Sequence, residues 1–171
     1  CIASGVPVDV IPGPSAITTA LLLSGFPPNR FRYLGFLPRK GRLRQDAIRA
    51  LATEHDTTVL FEAPNRTGQT LAELPERLGT RPAAVVREMT KLYQEVITDT
   101  LPELAQRFVA TPPRGEVTLV VAGREDEPIS DEALEQAVRA HLEAGDSPKT
   151  ISEALADIAS RRKVYQLALK L

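Results

Sequence analysis

The chain has 171 residues, 43% of them hydrophobic, so it can form one domain or one and a half and bury roughly 70% of its unfolded surface. Its apolar runs fall far short of the ~20 residues that cross a bilayer, no basic-then-apolar leader is present, and Cys1, the sole cysteine, leaves no internal disulfide or thiolate cluster. A net charge of −1 removes the simplest argument for nucleic-acid binding, a globally basic protein, so any basic footprint is local. The expectation is a soluble, cytoplasmic chain. Because it begins Cys-Ile-Ala-Ser-Gly-Val rather than with methionine, it reads as a fragment of a longer protein.

In chain order, residues 8–11 form a short β-branched run stopped by Pro12-Gly13, and residues 15–23 follow with helix-compatible small and apolar side chains. This strand, turn, helix pattern recurs. Residues 31–36 end at Leu37-Pro38 before a helix at about 43–54 with Ile48 and Leu51 on one face. Residues 57–61 end at Glu62-Ala63-Pro64-Asn65 before a helix holding Leu71, Leu74 and Leu78, and a fourth run, 83–86, ends at Arg87-Glu88. Alternating strands and helices predict an α/β architecture with parallel strands whose carboxyl ends share one edge. Ligands of open α/β sheets bind beyond that edge, which singles out residues 12–15, 35–41, 62–66 and 87–91. Residues 93–98 read as a further strand, 101–109 as a helix, and 117–122 as an apolar strand opened by Gly115-Glu116. The two strands are expected as a hairpin-like antiparallel addition. A polar linker at 124–128 then leads to helices at 131–143, 151–158 and 164–171, a small helical appendage. The expected divisions are 1–12, 13–124 and 125–171.

Several segments carry candidate chemistry, each with a plainer alternative. Pro12-Gly13-Pro14-Ser15-Ala16 places glycine at a sharp turn and serine at a helix start whose free N–H groups can receive a carboxylate; spacing by itself favours an ordinary strand-to-helix turn. Glu62, Asn65 and Arg66 combine an acid, a capping amide and a base after an apolar strand, as a site or as a structural ion pair. Arg87, Glu88 and Lys91, with Thr90, offer the same choice. Arg30, Arg32, Arg39, Lys40, Arg42 and Arg44 put six cations in fifteen residues without an acid, either a solvated surface or a phosphate-binding one. His55 and His141 have no second ligand at helical spacing and read as surface residues, so no metal is expected. No nucleophile elbow, phosphate loop or full nucleotide-binding glycine fingerprint occurs.

Taken in order, Val-Ile-Pro-Gly-Pro-Ser-Ala (10–16), Gly-Phe-Leu-Pro-Arg-Lys (35–40), Phe-Glu-Ala-Pro-Asn-Arg (61–66), Arg-Glu-Met-Thr-Lys (87–91) and Gly-Glu-Val (115–117) resemble one family. It is the small-subunit ribosomal RNA 2'-O-methyltransferases of the tetrapyrrole methylase superfamily. The resemblance implies a mixed sheet with flanking helices plus the helical appendage. It also implies S-adenosylmethionine as methyl donor, a cytidine ribose of 16S rRNA or the assembled small subunit as target, and a homodimer. It spans nearly the whole chain but only about the last three-fifths of a family member. A preceding glycine-rich domain is absent, and the chain alone is expected to bind donor poorly. By that resemblance Pro12, Gly13, Ser15, Ala16 and Thr18 line the donor cleft with Leu37, Pro38, Glu62 and Ala63 opposite. Arg39, Lys40, Arg42, Arg66, Arg87 and Lys91 hold RNA, and Glu62, Glu88 or a neutral Lys91 are the candidates for assisting proton loss. A porphyrin-like substrate, or a noncatalytic RNA-binding or dimerising fragment, are the alternatives.

Overall fold

The computed structural model describes residues 1–125, 130–156 and 158–171, which divide into two compact units, residues 1–124 and 125–171. Part of the expected linker, residues 126–128, and Asp157 of the expected 151–158 helix lie outside the described residues.

The first unit contains helix α1 (Ala16–Ser24), strand β1 (Phe31–Phe36), α2 (Arg42–Ala52), β2 (Thr57–Glu62), α3 (Pro64–Glu73), α4 (Pro75–Leu78), β3 (Pro82–Arg87), β4 (Glu95–Thr100), α5 (Leu101–Ala110) and β5 (Val117–Val121). A single helix was expected around Leu71 to Leu78, but Pro75 divides it: proline brings no N–H to the ladder and starts α4 as its first residue. The sheet order is β1-β2-β5-β3-β4. Only β1 and β2 are parallel neighbours; β2–β5, β5–β3 and β3–β4 are antiparallel. The sheet is therefore mixed, as the resemblance implies, with one parallel pair beside three antiparallel ones. Every residue of β5 (Val-Thr-Leu-Val-Val) is buried, and a strand apolar on both faces takes the centre. The expected hairpin of the last two strands is also corrected, because β3 lies between them and forms the hairpin with β4.

Residues 8–11 do not form a strand. Val8, Val10 and Ile11 are 54%, 78% and 92% exposed. Their β-branched composition favours extension, but a strand also needs a neighbouring ladder, and no described strand offers one there.

Alternation along the strands separates two cores. On one face Leu60, Val85, Leu119 and Val121 pack under Ile48 of α2, Leu71 of α3 and Leu104 and Phe108 of α5. On the other, Val59, Ala84, Val86 and Val120 pack under Ala20 and Leu21 of α1. A helix layer thus lies on each face, the second formed by α1 among the described residues of this unit.

The second unit has α6 (Asp131–Glu143), α7 (Pro148–Ala154) and α8 (Arg161–Ala168) around Leu134, Val138, Ile151, Val164 and Ala168. Each helix starts at a serine, Ser130, Ser147 or Ser160, whose hydroxyl accepts a backbone N–H of the first turn. His141, at the end of α6, pairs with Asp146 through Nδ1 at 2.7 Å and is half-buried rather than a plain surface side chain.

Candidate functional site

Although most neighbours are antiparallel, β1, β2 and β3 all run in one direction, because β5 reverses between β2 and β3. Their carboxyl ends therefore do share an edge. Phe36 is in register with Phe61, and Val117 lies opposite both Glu62 and Arg87. Helix α1 runs the other way: just past its end, the Pro27 carbonyl accepts a hydrogen bond from Thr57 at the start of β2. Its amino end, with Ser15 and Ala16, is thus directed toward the same edge as the loops at 37–40, 62–66 and 87–91. Pro12, Gly13, Ala16 and Thr18 are exposed, and Ser15 starts α1 with its hydroxyl unused as a cap.

An open groove at this edge is lined by Phe36, Leu37, Pro38, Arg39, Ala63, Asn65 and Arg66. Asn65 does not cap α3 as expected. Ala63 holds the cap position and Pro64 the first turn, so the Asn65 amide is left facing outward.

Beneath the groove lies a buried polar chain. Glu62, whose side chain is fully buried, pairs with Arg66 at 2.7 Å, accepts the Thr70 hydroxyl at 2.7 Å and accepts its neighbour's N–H, that of Ala63, at 2.8 Å. Arg66 also donates to the Leu37 carbonyl at 3.2 Å. Thr70 in turn accepts a hydrogen bond from Arg44, which donates to the Pro38 carbonyl at 3.1 Å and pairs with Glu73 at 2.7 Å. Two guanidiniums thereby fix consecutive carbonyls of one loop. Thr70 and Glu73 were not singled out from sequence; both lie on α3 one and two turns beyond Arg66, spacing that marks a shared face only once the face is known.

The basic run is resolved by acids from elsewhere in the chain. Arg30 pairs with Asp56, Arg32 with Glu54 and Arg42 with Asp46, while Arg44 is buried. Among the described residues Arg39 and Lys40 alone of the six make no ion pair, and both are exposed. The six-cation surface read from sequence is therefore reduced to two free cations at the groove.

The third loop is a closed cluster. Glu88 accepts the Glu116 backbone N–H at 2.9 Å and the Lys91 ammonium at 3.1 Å, and Lys91 also reaches Glu116 at 3.1 Å. Gly115, at φ 81°, makes room for this: a Cβ there would collide with the Glu88 carboxylate. Arg87 pairs with Glu95 at 2.6 Å and donates to the Arg114 carbonyl. The Glu116 N–H chiefly, with Lys91, holds the Glu88 carboxyl below its ordinary value, and Glu88 followed by Glu116 holds the Lys91 ammonium above its own. Of the three open candidates for assisting proton loss, Lys91 is thus held in its charged form by two carboxylates.

A pH dependence follows. Glu88, depressed on folding, contributes in full above the ordinary value of 4.5, and that contribution is lost as pH falls toward its lower folded value. Lys91, raised on folding, contributes in full below 10.5, and its contribution is lost as pH rises toward its higher folded value. Hydrogen exchange is expected to show a protected Glu116 amide between these limits, with its protection factor falling on the acid side. Unchanged protection well below 4.5 would mean that the carboxylate does not hold this loop.

A family model described as Tetrapyrrole (Corrin/Porphyrin) Methylases matches residues 1–105, the stretch holding the loops at 12–15, 37–40, 62–66 and 87–91. The chain is 48% identical over 124 residues to "Ribosomal RNA small subunit methyltransferase I" of Mycobacterium bovis, covering 72% of the chain and 43% of that protein. The protein of the same name from Synechocystis is 38% identical over 177 residues, covering 100% of the chain and 63% of that relative. The one from Thermotoga maritima is 42% identical, covering 73% and 56%. The chain thus spans about two-fifths to three-fifths of the length of the curated relatives it matches. Among solved structures, a cobalamin biosynthetic enzyme, cobalt precorrin-4 methyltransferase, superposes with a TM-score of 0.54 at 17% identity over 71% of the chain and 54% of that enzyme, a likeness of fold. With well over half of its residues matched and the mixed sheet and its loop edge in place, the chain belongs to the tetrapyrrole (corrin/porphyrin) methylase family.

Proposed function

We propose that this chain forms one wall of an S-adenosylmethionine-dependent enzyme that methylates the 2'-oxygen of a cytidine ribose in 16S rRNA. The observation that carries the reading is the groove where Leu37, Pro38 and Ala63 meet Arg39, Asn65 and Arg66 on the loop edge of the sheet. Its support from outside the chain is similarity to proteins named small-subunit ribosomal RNA methyltransferases.

The residues fit such a donor. Leu37, Pro38 and Ala63 offer apolar wall, and the free N–H groups of the first turn of α1, from Ala16 to Thr18 after Pro12, Gly13 and Ser15, suit a carboxylate. When bound, the donor supplies an electrophilic methyl group, which leaves the protein chiefly to position the nucleophile. Arg39 and Lys40 take phosphates, with the exposed Arg42 following them in the chain, while Arg66 and Arg87 hold the loops through the Leu37 and Arg114 carbonyls. Glu62 and Glu88 are engaged carboxylates and Lys91 is a paired ammonium, so all three act by holding loops, and the ribose proton leaves to water in the open groove. The same reading takes residues 13–124 as the catalytic-wall domain, residues 125–171 as a helical domain, and the protein as a cytoplasmic homodimer acting on the small subunit.

The test is transfer of labelled methyl from S-adenosylmethionine to purified small subunits, by this chain and by a version extended at its amino end to the length of its relatives. Label in the ribose of 16S rRNA with the extended form is the expected result. Label in a tetrapyrrole with RNA unlabelled, or donor binding by neither form in calorimetry, overturns the reading.

A further inference from the structure

The loop joining β3 to β4 ends in two outward side chains, Leu92 at 89% and Tyr93 at 72% exposure. Exposed apolar groups on a slack loop mean little, but this loop is tightly held. Glu88 donates its N–H to the Glu116 carbonyl, and its own carbonyl accepts from Lys91. The Lys91 carbonyl accepts from Gln94, whose side-chain oxygen accepts the Thr90 N–H at 2.7 Å. Glu88 and Thr90 both sit at positive φ, 50° and 64°, an arrangement that costs non-glycine residues about 1 kcal/mol or more each and persists only where surrounding bonds impose it. The fold therefore maintains a strained frame whose outward product is one aromatic ring and one leucine.

Charge narrows what the frame serves. Glu88, Lys91 and Glu116 together sum to −1, so the tip offers no spare cation and repels a phosphate placed directly on it. The neighbouring cation without an ion pair among the described residues is Arg114, which is exposed and whose carbonyl is fastened to Arg87 at 3.3 Å. A rigid ring on a tip whose one ammonium is already paired suits a base rather than a phosphate, and Arg114, whose backbone joins the same cluster through Arg87, is the exposed cation left for a phosphate. Unpaired RNA bases are splayed and stack on aromatic side chains.

We propose that Tyr93 is a stacking platform for an unpaired base of the RNA substrate, with Arg114 holding an adjoining phosphate. This rests on the RNA reading above and adds to it a residue and a kind of contact. Tyrosine suits the role because it has few torsions to order, and the hydrogen-bonded loop reduces that cost further.

The chain contains no tryptophan, so Tyr93→Trp installs a single reporter at the tip. The probes are a short oligocytidylate and an abasic ribose-phosphate strand of equal length. The reporter is expected to be quenched by oligocytidylate and not by the abasic strand. Tyr93→Ala is expected to weaken oligocytidylate binding by about tenfold or more, as loss of a stacked base does, leaving abasic binding unchanged. Tyr93→Phe keeps wild-type affinity, and Arg114→Ala weakens both probes. At 72% exposure the ring is not part of the core, so Tyr93→Ala is expected to fold normally, which its circular dichroism checks. Unaltered oligocytidylate binding by Tyr93→Ala overturns the platform. So does a shift of that variant from dimer to monomer in sedimentation with RNA affinity intact, which would make the ring a contact between copies. Binding of neither probe by wild type overturns it as well. Methyl transfer to small subunits then tells whether the RNA reading fails with it.

Discussion

Replacing Glu62 by alanine is expected to destabilise the 1–124 unit by about 3 kcal/mol, the cost of breaking a buried ion pair by removing one partner. The carboxylate is enclosed, and its loss leaves Arg66, the Thr70 hydroxyl and the Ala63 N–H without their acceptor. Thr70→Val removes a single donor and is expected to cost about 1 kcal/mol, so the two substitutions separate the charge from the hydroxyl. Urea unfolding monitored by circular dichroism measures both. A change within about 0.5 kcal/mol for Glu62→Ala, the size of an ordinary surface substitution, would mean that the carboxylate is solvated and the network is not formed. The consequence for the groove is direct, because Arg66 loses its orientation and with it the bond to the Leu37 carbonyl. Arg39→Ala makes the contrast: loss of an exposed cation without an ion pair is expected to leave stability unchanged while weakening RNA binding and lowering its salt dependence.

That contrast marks how far the sequence could be read. The alternation of β-branched runs with helical periodicity located β1, β2 and β3 and put their loops on one edge, since period and turn chemistry are local properties. Which strand inserts between β2 and β3 is a long-range matter; β5 betrays itself only by being apolar at all positions but Thr118, a pattern a buried helix segment also presents. Arg44 and Arg39 look alike in a basic run. They part because Arg44 falls on the inward side of α2 among Ile48 and Leu51, where Glu73 and Thr70 of a helix distant in sequence meet it. Residues 8–11 have strand composition and no ladder, and Lys91 has the residue type of a tunable base in a setting that keeps it charged. The strand order, the pairing of Arg44 and the missing ladder of residues 8–11 all concern partners remote in sequence.

The same kind of remote partner makes Gly68 indispensable, and Gly68→Ala is expected to destabilise the unit by about 2 kcal/mol. Glycine inside a helix invites the opposite expectation, because alanine raises helix propensity by about 1 kcal/mol. Here the added methyl would stand 2.5 Å from the Phe108 carbonyl oxygen and 3.1 Å from the Val109 Cα, so α3 and α5 touch backbone to backbone at this point. A flexible side chain would yield to the intrusion at little cost, whereas a helical carbonyl yields only if α5 moves. That helix is anchored by Leu101, Leu104, Ala105 and Phe108, all buried. Relief must then come from α3, which carries Arg66 and Thr70 one turn and less from the substituted position. Loss of stability in Gly68→Ala should accordingly come with faster exchange of amides in the 37–40 loop, as the arginine holding the Leu37 carbonyl shifts with its helix. A variant as stable as the parent, with that loop unaltered, would show that the two helices have slack between them and that their close approach is not what seats Arg66 at the groove.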